Sequence, residues 1–189
     1  MRLPRLRSKS TPGLAARIRI QPGRVEALPI EDSSVDLVWC RDVLSLVADL
    51  ESAYSEFARV LRSGGTGVVC QSCMAPELTD QEAERFWAPL DAAVNSADPA
   101  KVEAAIASSG LHMDRWFNVA LEWGQSAAET NGTPGHRLLH LSRLLQQPDR
   151  YVEKFGRWAY DVMVADCLWH VYRLMGKTEQ RVYVLTKPI

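Results

Sequence analysis

Val35-Asp36-Leu37-Val38-Trp39-Cys40 is a run of β-branched, aromatic and small apolar residues, set off by the polar stretch Glu31-Asp32-Ser33-Ser34 before it. A short, nearly continuous apolar run between polar brackets is the pattern of a strand in a sheet covered on both faces. Downstream, Asp49 is a good helix N-cap, and Leu50, Ala53, Tyr54, Phe57, Val60 and Leu61 recur at three- and four-residue spacing. Ser63-Gly64-Gly65 stops that helix, because glycine enters the left-handed cap conformation without a Cβ penalty. Gly67-Val68-Val69-Cys70-Gln71 reads as the next strand. Strand, helix and strand within about forty residues make a parallel crossover unit, and that unit decides the class as α/β.

Working outward, Arg17-Ile18-Arg19-Ile20 alternates polar and apolar and predicts a short strand, which Pro22-Gly23 breaks. Thr79-Asp80-Gln81-Glu82 is a capping box opening a helix that runs to about Asn95. Asp98-Pro99 starts another helix, closed by Gly110. From Leu111 to Trp123 the odd positions are mostly apolar, which predicts a long strand with one well-buried side. Residues 130–135 read as a loop, His136 to Gln147 as a helix, and Arg150 to Met175 as one long helix or two after Pro148. Gln180 to Thr186 is a closing strand. The expectation is a sheet of about five strands, mostly parallel with a C-terminal antiparallel strand, flanked by helices. Residues 1–24 form a basic arm with the first short strand, and 25–189 form the domain, with a helical insertion or lid at about 136–176.

The 189 residues, 47% of them hydrophobic, suffice for one domain with a proper core and are too few for two comfortable domains. Net charge is −1, so no global field favours nucleic acid or a membrane surface. The charge is uneven: Met1 to Arg24 holds seven Arg or Lys and no acid. Without interleaved aromatics, that arm reads as a solvated end before it reads as a nucleic-acid contact. No apolar run approaches the roughly 18 residues that span a bilayer, and no export signal follows the arm, which places the chain in the cytoplasm. Cys40, Cys70, Cys73 and Cys167 therefore read as thiols. Cys70 and Cys73 form a C-x-x-C with no second pair for a metal, so no metal is expected. Asn131-Gly132-Thr133 reads as a turn.

Glu26-Ala27-Leu28-Pro29-Ile30, with Asp32-Ser33-Ser34-Val35-Asp36-Leu37-Val38, resembles the middle of small-molecule methyltransferases of the UbiE/type 11 kind, members of the class I S-adenosylmethionine (SAM)-dependent enzymes. Their pattern is an acidic-Ala-x-x-Leu-Pro-Phe turn, then a D-x-S-F-D-x-V strand and a loop. Glu56-Phe57-Ala58-Arg59-Val60-Leu61-Arg62-Ser63-Gly64-Gly65 resembles the family's E-x-x-R-V-L-R-P-G-G helix end, with Ser63 where proline is usual. The match covers about a quarter of the chain. It implies an incomplete Rossmann-like sheet and SAM as cofactor, with a small-molecule methyl acceptor. It places Glu26, Ala27 and Leu28 by the adenine, and Cys40 and Arg41 beside the sulfonium. No acidic-x-Gly-x-Gly-x-Gly precedes the matched region, so the chain reads as an N-terminally shortened copy. Ser45-Leu46 stands where the family often carries Glu-His.

The donor in such a reaction brings its own activation, so proximity and alignment are the protein's main task and no catalytic residue is singled out. His112, His136, His140 and His170 are candidate bases, each more often a surface or core histidine. Trp158, Tyr160, Trp169 and Tyr172 lie on a helical stretch, as core first and as a substrate-pocket lid second. Two functions compete: methyl transfer to a small molecule, and a catalytically inactive module acting by binding. A sheet lacking its first strand and helix leaves an apolar edge and face open, which predicts a homodimer or a completing partner chain.

Overall fold

The computed structural model describes residues 17–90, 94–119, 126, 130 and 132–189. Ten elements follow in the order β1 (Val35–Arg41), α1 (Leu50–Val60), β2 (Leu61–Met74), α2 (Asp80–Trp87), α3 (Pro99–Ser108), β3 (His112–Asn118), α4 (Thr133–Gln146), α5 (Pro148–Phe155), α6 (Arg157–Leu174) and β4 (Thr178–Thr186), with short 3₁₀ turns at Leu44–Leu46, Ala88–Leu90 and Val94–Ala97. The crossover unit is present: Asp49 accepts from the Ser52 N–H at the start of α1, and β1 pairs parallel to β2. α1 ends already at Val60, however, and Ser63-Gly64-Gly65, read as its stop, lies inside β2. The Thr79–Glu82 capping box opens α2, which ends at Trp87 rather than near Asn95, just before Pro89.

The sheet order is β1-β2-β4-β3, with β4 antiparallel to both of its neighbours. Three strands therefore run one way and the last-formed one runs back between two of them. The fold class is α/β, with four strands among the described residues. Arg17–Ile20 forms none: the segment lies outside the sheet, with Ile18 and Ile20 half-exposed. Four alternating residues with no neighbour to pair with are not a stable strand.

β3 also departs from its reading. Its register with β4 shifts between Met113 and Arg115, so Met113 faces the same way as Leu185, but beyond the shift it is Trp116 that stands opposite Tyr183. A bulge moves every later side chain to the other face, and the apolar alternation counted through Leu111–Trp123 cannot survive it. Trp116 and Phe117 are over 40% exposed, and the strand is an edge rather than a half-buried member. Residues 120–123 lie outside the described residues.

Two cores result. On one face of the sheet, Cys40, Val69, Tyr183 and Leu185 pack against Ala53, Tyr54 and Phe57 of α1 and Val102 and Ile106 of α3. Beside the C-terminal end of β2, Phe86 and Trp87 of α2 pack with Leu141 and Leu144 of α4 and Tyr160, Val164, Leu168 and Tyr172 of α6. The other sheet face is covered only at that end. Leu37 and Trp39 on β1, 55% and 66% exposed, continue across Val68 and Val184 with no helix over them among the described residues. β1 thus has one buried face where its composition led us to expect two.

The entry to β1 is held by one clamp. Arg59 donates from Nε and Nη2 to the two carboxylate oxygens of Glu56, at 2.7 and 2.8 Å. Its Nη1 also donates to the Ile30 carbonyl and the Asp32 carboxylate, and its Nη2 to the Leu28 carbonyl. Glu56 in turn accepts the Leu28 N–H at 2.7 Å. One helical pair, three residues apart, thereby satisfies the polar groups of the turn at residues 28–32 and fixes it on the end of α1.

Hydrogen bonding to Arg59 holds the Glu56 carboxyl below its ordinary value of 4.5. A depressed carboxylate stabilises the fold above its unfolded value, and the contribution is lost as pH falls through the folded one. Urea midpoints measured between about pH 7 and pH 3 should therefore fall less steeply in Glu56→Gln than in the parent. In the first core, Ile106→Ala should cost about 2–5 kcal/mol in denaturant unfolding, since Ile106 is 1% exposed between α3 and the sheet.

Candidate functional site

Open α/β sheets bind ligands beyond the carboxyl ends of their strands, and two cavities lie beside the end of β1. The larger, about 540 Å³, runs along the outer edge of β1 from the turn at Val25, Leu28 and Ile30 to Trp39, Cys40, Arg41 and Val43, with Phe57 and Val60 of α1 behind it. Its walls are mostly apolar. The smaller, about 140 Å³, sits beyond β1 and β2 and is lined by Asp42, Ser45, Leu46, Ser72, Phe86, Trp87, Leu90 and Trp169.

The turn and the strand that the sequence singled out meet in the larger cavity. Leu28, Cys40 and Arg41 are all in its wall. Glu26 is not. Its carboxylate accepts from Arg24 at 2.9 Å, and backbone and Arg24 hydrogen bonds keep it ionised to lower pH than usual. Counted back from the shared Leu28-Pro29, the acidic position of the quoted turn pattern falls on Arg24, so Glu26 stands two places beyond it. The Ala27 N–H is spent on the Arg24 carbonyl at 3.2 Å. Burial raises the Cys40 thiol to about 11, so at neutral pH it is an apolar wall group and not a nucleophile.

Beyond β1 the chain turns sharply. Asp42 adopts φ +54°, a left-handed conformation that a residue with a side chain occupies only when its surroundings hold it there. Its N–H donates to the Cys70 carbonyl at 2.9 Å. Its carboxylate accepts from Gln180 Nε2 at 3.0 Å and from Arg41 Nε at 3.3 Å. Gln180 also accepts from Ser72 Oγ at 2.9 Å. A polar seam therefore links the ends of β1, β2 and β4 at the floor of the site. Sequence reasoning passed over Asp42, Ser72 and Gln180, because only the sheet order puts β4 next to β2. The available signal was slight: Ser72 is a polar residue near the apolar end of β2, while Gln180 stands between the charged Glu179 and Arg181.

The candidate bases lie elsewhere. His112 and His136 are exposed, His140 stands 3.6 Å from Cys167, and His170 is partly buried with its pKa lowered by desolvation. None of the four lines either cavity. The aromatic group on α6 divides: Tyr160 and Tyr172 are core, Trp169 faces the smaller cavity, and Trp158 is 77% exposed. Cys70 and Cys73, three residues apart on β2, project to opposite faces of the sheet, an arrangement that suits neither a shared metal nor a disulfide.

As a seat for a nucleoside cofactor, the larger cavity offers a flat apolar wall of the right kind for a purine, with Arg41 at its rim. The polar groups of the turn are largely engaged within the protein. No glycine-rich strand-to-helix loop is found among the described residues.

The sequence pattern of a methyltransferase domain matches residues 3–69. The malonyl-[acyl-carrier protein] O-methyltransferase of Erwinia billingiae (strain Eb661) is 39% identical over 95 residues, which are 49% of this chain and 36% of that protein. The sarcosine/dimethylglycine N-methyltransferase of Aphanothece halophytica is 28% identical over 142 residues, 75% of this chain and 46% of that one. This chain thus spans less than half the length of those two relatives. Among solved structures, the phosphoethanolamine N-methyltransferase 2 of Haemonchus contortus with bound S-adenosyl-L-methionine superposes at a TM-score of 0.60 with 17% identity, over 88% of this chain and 36% of that one. The crossover from Glu26 through β1 and α1 into the start of β2, read first from its residues, falls within the matched segment, and over that segment the chain is similar to methyltransferase domains.

Proposed function

We propose that the chain takes part in SAM-dependent methyl transfer to a small-molecule acceptor. The observation that carries this reading is the shared wall: Leu28 from the turn and Cys40 and Arg41 from the strand end line one cavity of about 540 Å³, which runs along β1 from its entry to its carboxyl end, the end at which open α/β sheets bind ligands. In this reading Val25, Leu28 and Cys40 pack on the adenine, and Glu26 and Ala27 act only by shaping the turn that carries Val25 and Leu28. Arg41 guards the rim on the side facing Asp42. Bound there, SAM would supply the activated methyl group. What these residues contribute is orientation and the exclusion of water, which is most of what an in-line displacement asks of a protein.

A second reading, a methyltransferase-like module that binds without catalysing, draws support from one set of contacts. The Ala27 and Leu28 N–H groups already donate to Arg24 and Glu56, which leaves few free donors for a purine at the turn. The uncovered sheet face bears on both readings. Leu37 and Trp39 expose an apolar edge that a second copy or a completing chain would cover, and we take a homodimer as the form in which the protein works.

Titration calorimetry separates the two readings. Heat on adding SAM to the chain is expected, with affinity weakened about tenfold or more in Arg41→Ala, the worth of one hydrogen bond to a charged group. No heat at millimolar SAM would leave only the binding module. In sedimentation, the chain should run as a dimer and Trp39→Glu as a monomer. A parent that stays monomeric at micromolar concentration would remove the homodimer.

A further inference from the structure

The smaller cavity has a chemistry of its own. Phe86, Trp87, Trp169, Leu46 and Leu90 make its body apolar, and its polar groups are the Asp42 carboxylate and the hydroxyls of Ser45 and Ser72. One further polar group is unmatched. The Trp87 indole nitrogen is buried, in a residue 3% exposed, and its N–H finds no acceptor. An orphaned buried donor costs about 1–3 kcal/mol, and a cavity wall is where a ligand can relieve that cost. The carboxylate is held in place by Gln180 and by the strained turn at Asp42, so its position is fixed before anything binds.

The volume sets the size of the ligand. An engineered cavity of about 150 Å³ accepts benzene, so about 140 Å³ suits a ring or a branched body of similar bulk. The lining sets its charge. Among the described residues it contains one carboxylate and no Lys, Arg or His. Arg173, the nearest cation on α6, stacks on the Trp169 ring and donates to Gln180 instead of entering the wall. Arg41 lies 3.3 Å from Asp42 and is engaged by that carboxylate, so a phosphate or carboxylate would meet the acid with no cation in the described wall to receive it.

Resting on the methyl-transfer reading above, we propose that this cavity seats the methyl acceptor, and that the acceptor is a small, mainly apolar molecule carrying a hydroxyl or amino group rather than an anionic one. The O–H or N–H donates to the Asp42 carboxylate, and a lone pair of the ligand accepts from the Trp87 N–H. The ring faces of Phe86 and Trp169 hold its body.

Saturation-transfer NMR on the whole chain without SAM tests this separately from cofactor binding. Phenol and aniline are the probes, with inorganic phosphate and acetate as anionic controls. Phenol or aniline should show millimolar binding that Ser72→Leu, which fills the cavity, abolishes. Trp87→Phe and Asp42→Asn should each weaken it several-fold while the chain stays folded by circular dichroism. Equal or stronger binding of inorganic phosphate or acetate, or binding of phenol and aniline that Ser72→Leu leaves intact, would overturn the proposal. So would no binding by either probe. Loss of SAM heat with retained phenol binding would instead count against the methyl-transfer reading alone.

Discussion

The pairing of Glu56 with Arg59 holds together what the rest of the site depends on. Arg59 reaches three consecutive parts of the incoming chain, the carbonyls of Leu28 and Ile30 and the carboxylate of Asp32, while Glu56 takes the Leu28 N–H. Without these bonds the turn would carry several unpaired backbone groups against an apolar helix end, and such groups are seldom left unmatched when buried. The clamp fixes Leu28 over the outer edge of β1. It thereby creates the larger cavity, whose opposite wall is the end of that strand. The same bonds occupy polar groups of the turn, so holding it in place limits what it can offer a ligand.

A second constraint operates at the other end of β1. Asp42 must turn with a positive φ before the 3₁₀ turn at Leu44–Leu46 can begin, and it does so under hydrogen bonds to β2 and β4. Because β4 lies between β2 and β3, Gln180 is brought against Ser72 and Asp42, residues more than a hundred positions earlier in the chain. The two cavities are therefore separated by a short stretch of backbone: Cys40 and Arg41 face one and Asp42 the other. The nucleoside seat and the acceptor seat proposed above are the two sides of this one strand end.

The two sheet edges are built differently. β3 carries a bulge and charged residues, Asp114 and Arg115, both common protections of a free edge. On β1 the stretch Leu37–Cys40 carries no charge, and its outward side chains are large and apolar. An unprotected edge next to an uncovered face is the strongest structural argument for an assembly larger than one copy of this chain.

The sequence by itself determined the crossover unit, the helix caps at Asp49, Thr79 and Asp98, and the closing strand. These rest on local chemistry: capping side chains, glycine stops and residue spacing act over a few positions. It also marked Leu28, Cys40 and Arg41 as neighbours, through a motif whose residues are close in sequence. The tertiary structure alone decided the rest. Arg17–Ile20 is no strand because nothing pairs with it, and the alternation in β3 fails because one bulge reverses its faces. Glu26 is drawn to Arg24 and away from the cavity, and Asp42, Ser72, Trp87 and Gln180 come together only because the sheet order and α2 place them there. A pattern of spacing records what one element prefers; it carries no record of which distant element will lie beside it, and that choice is made by long-range burial and hydrogen bonding.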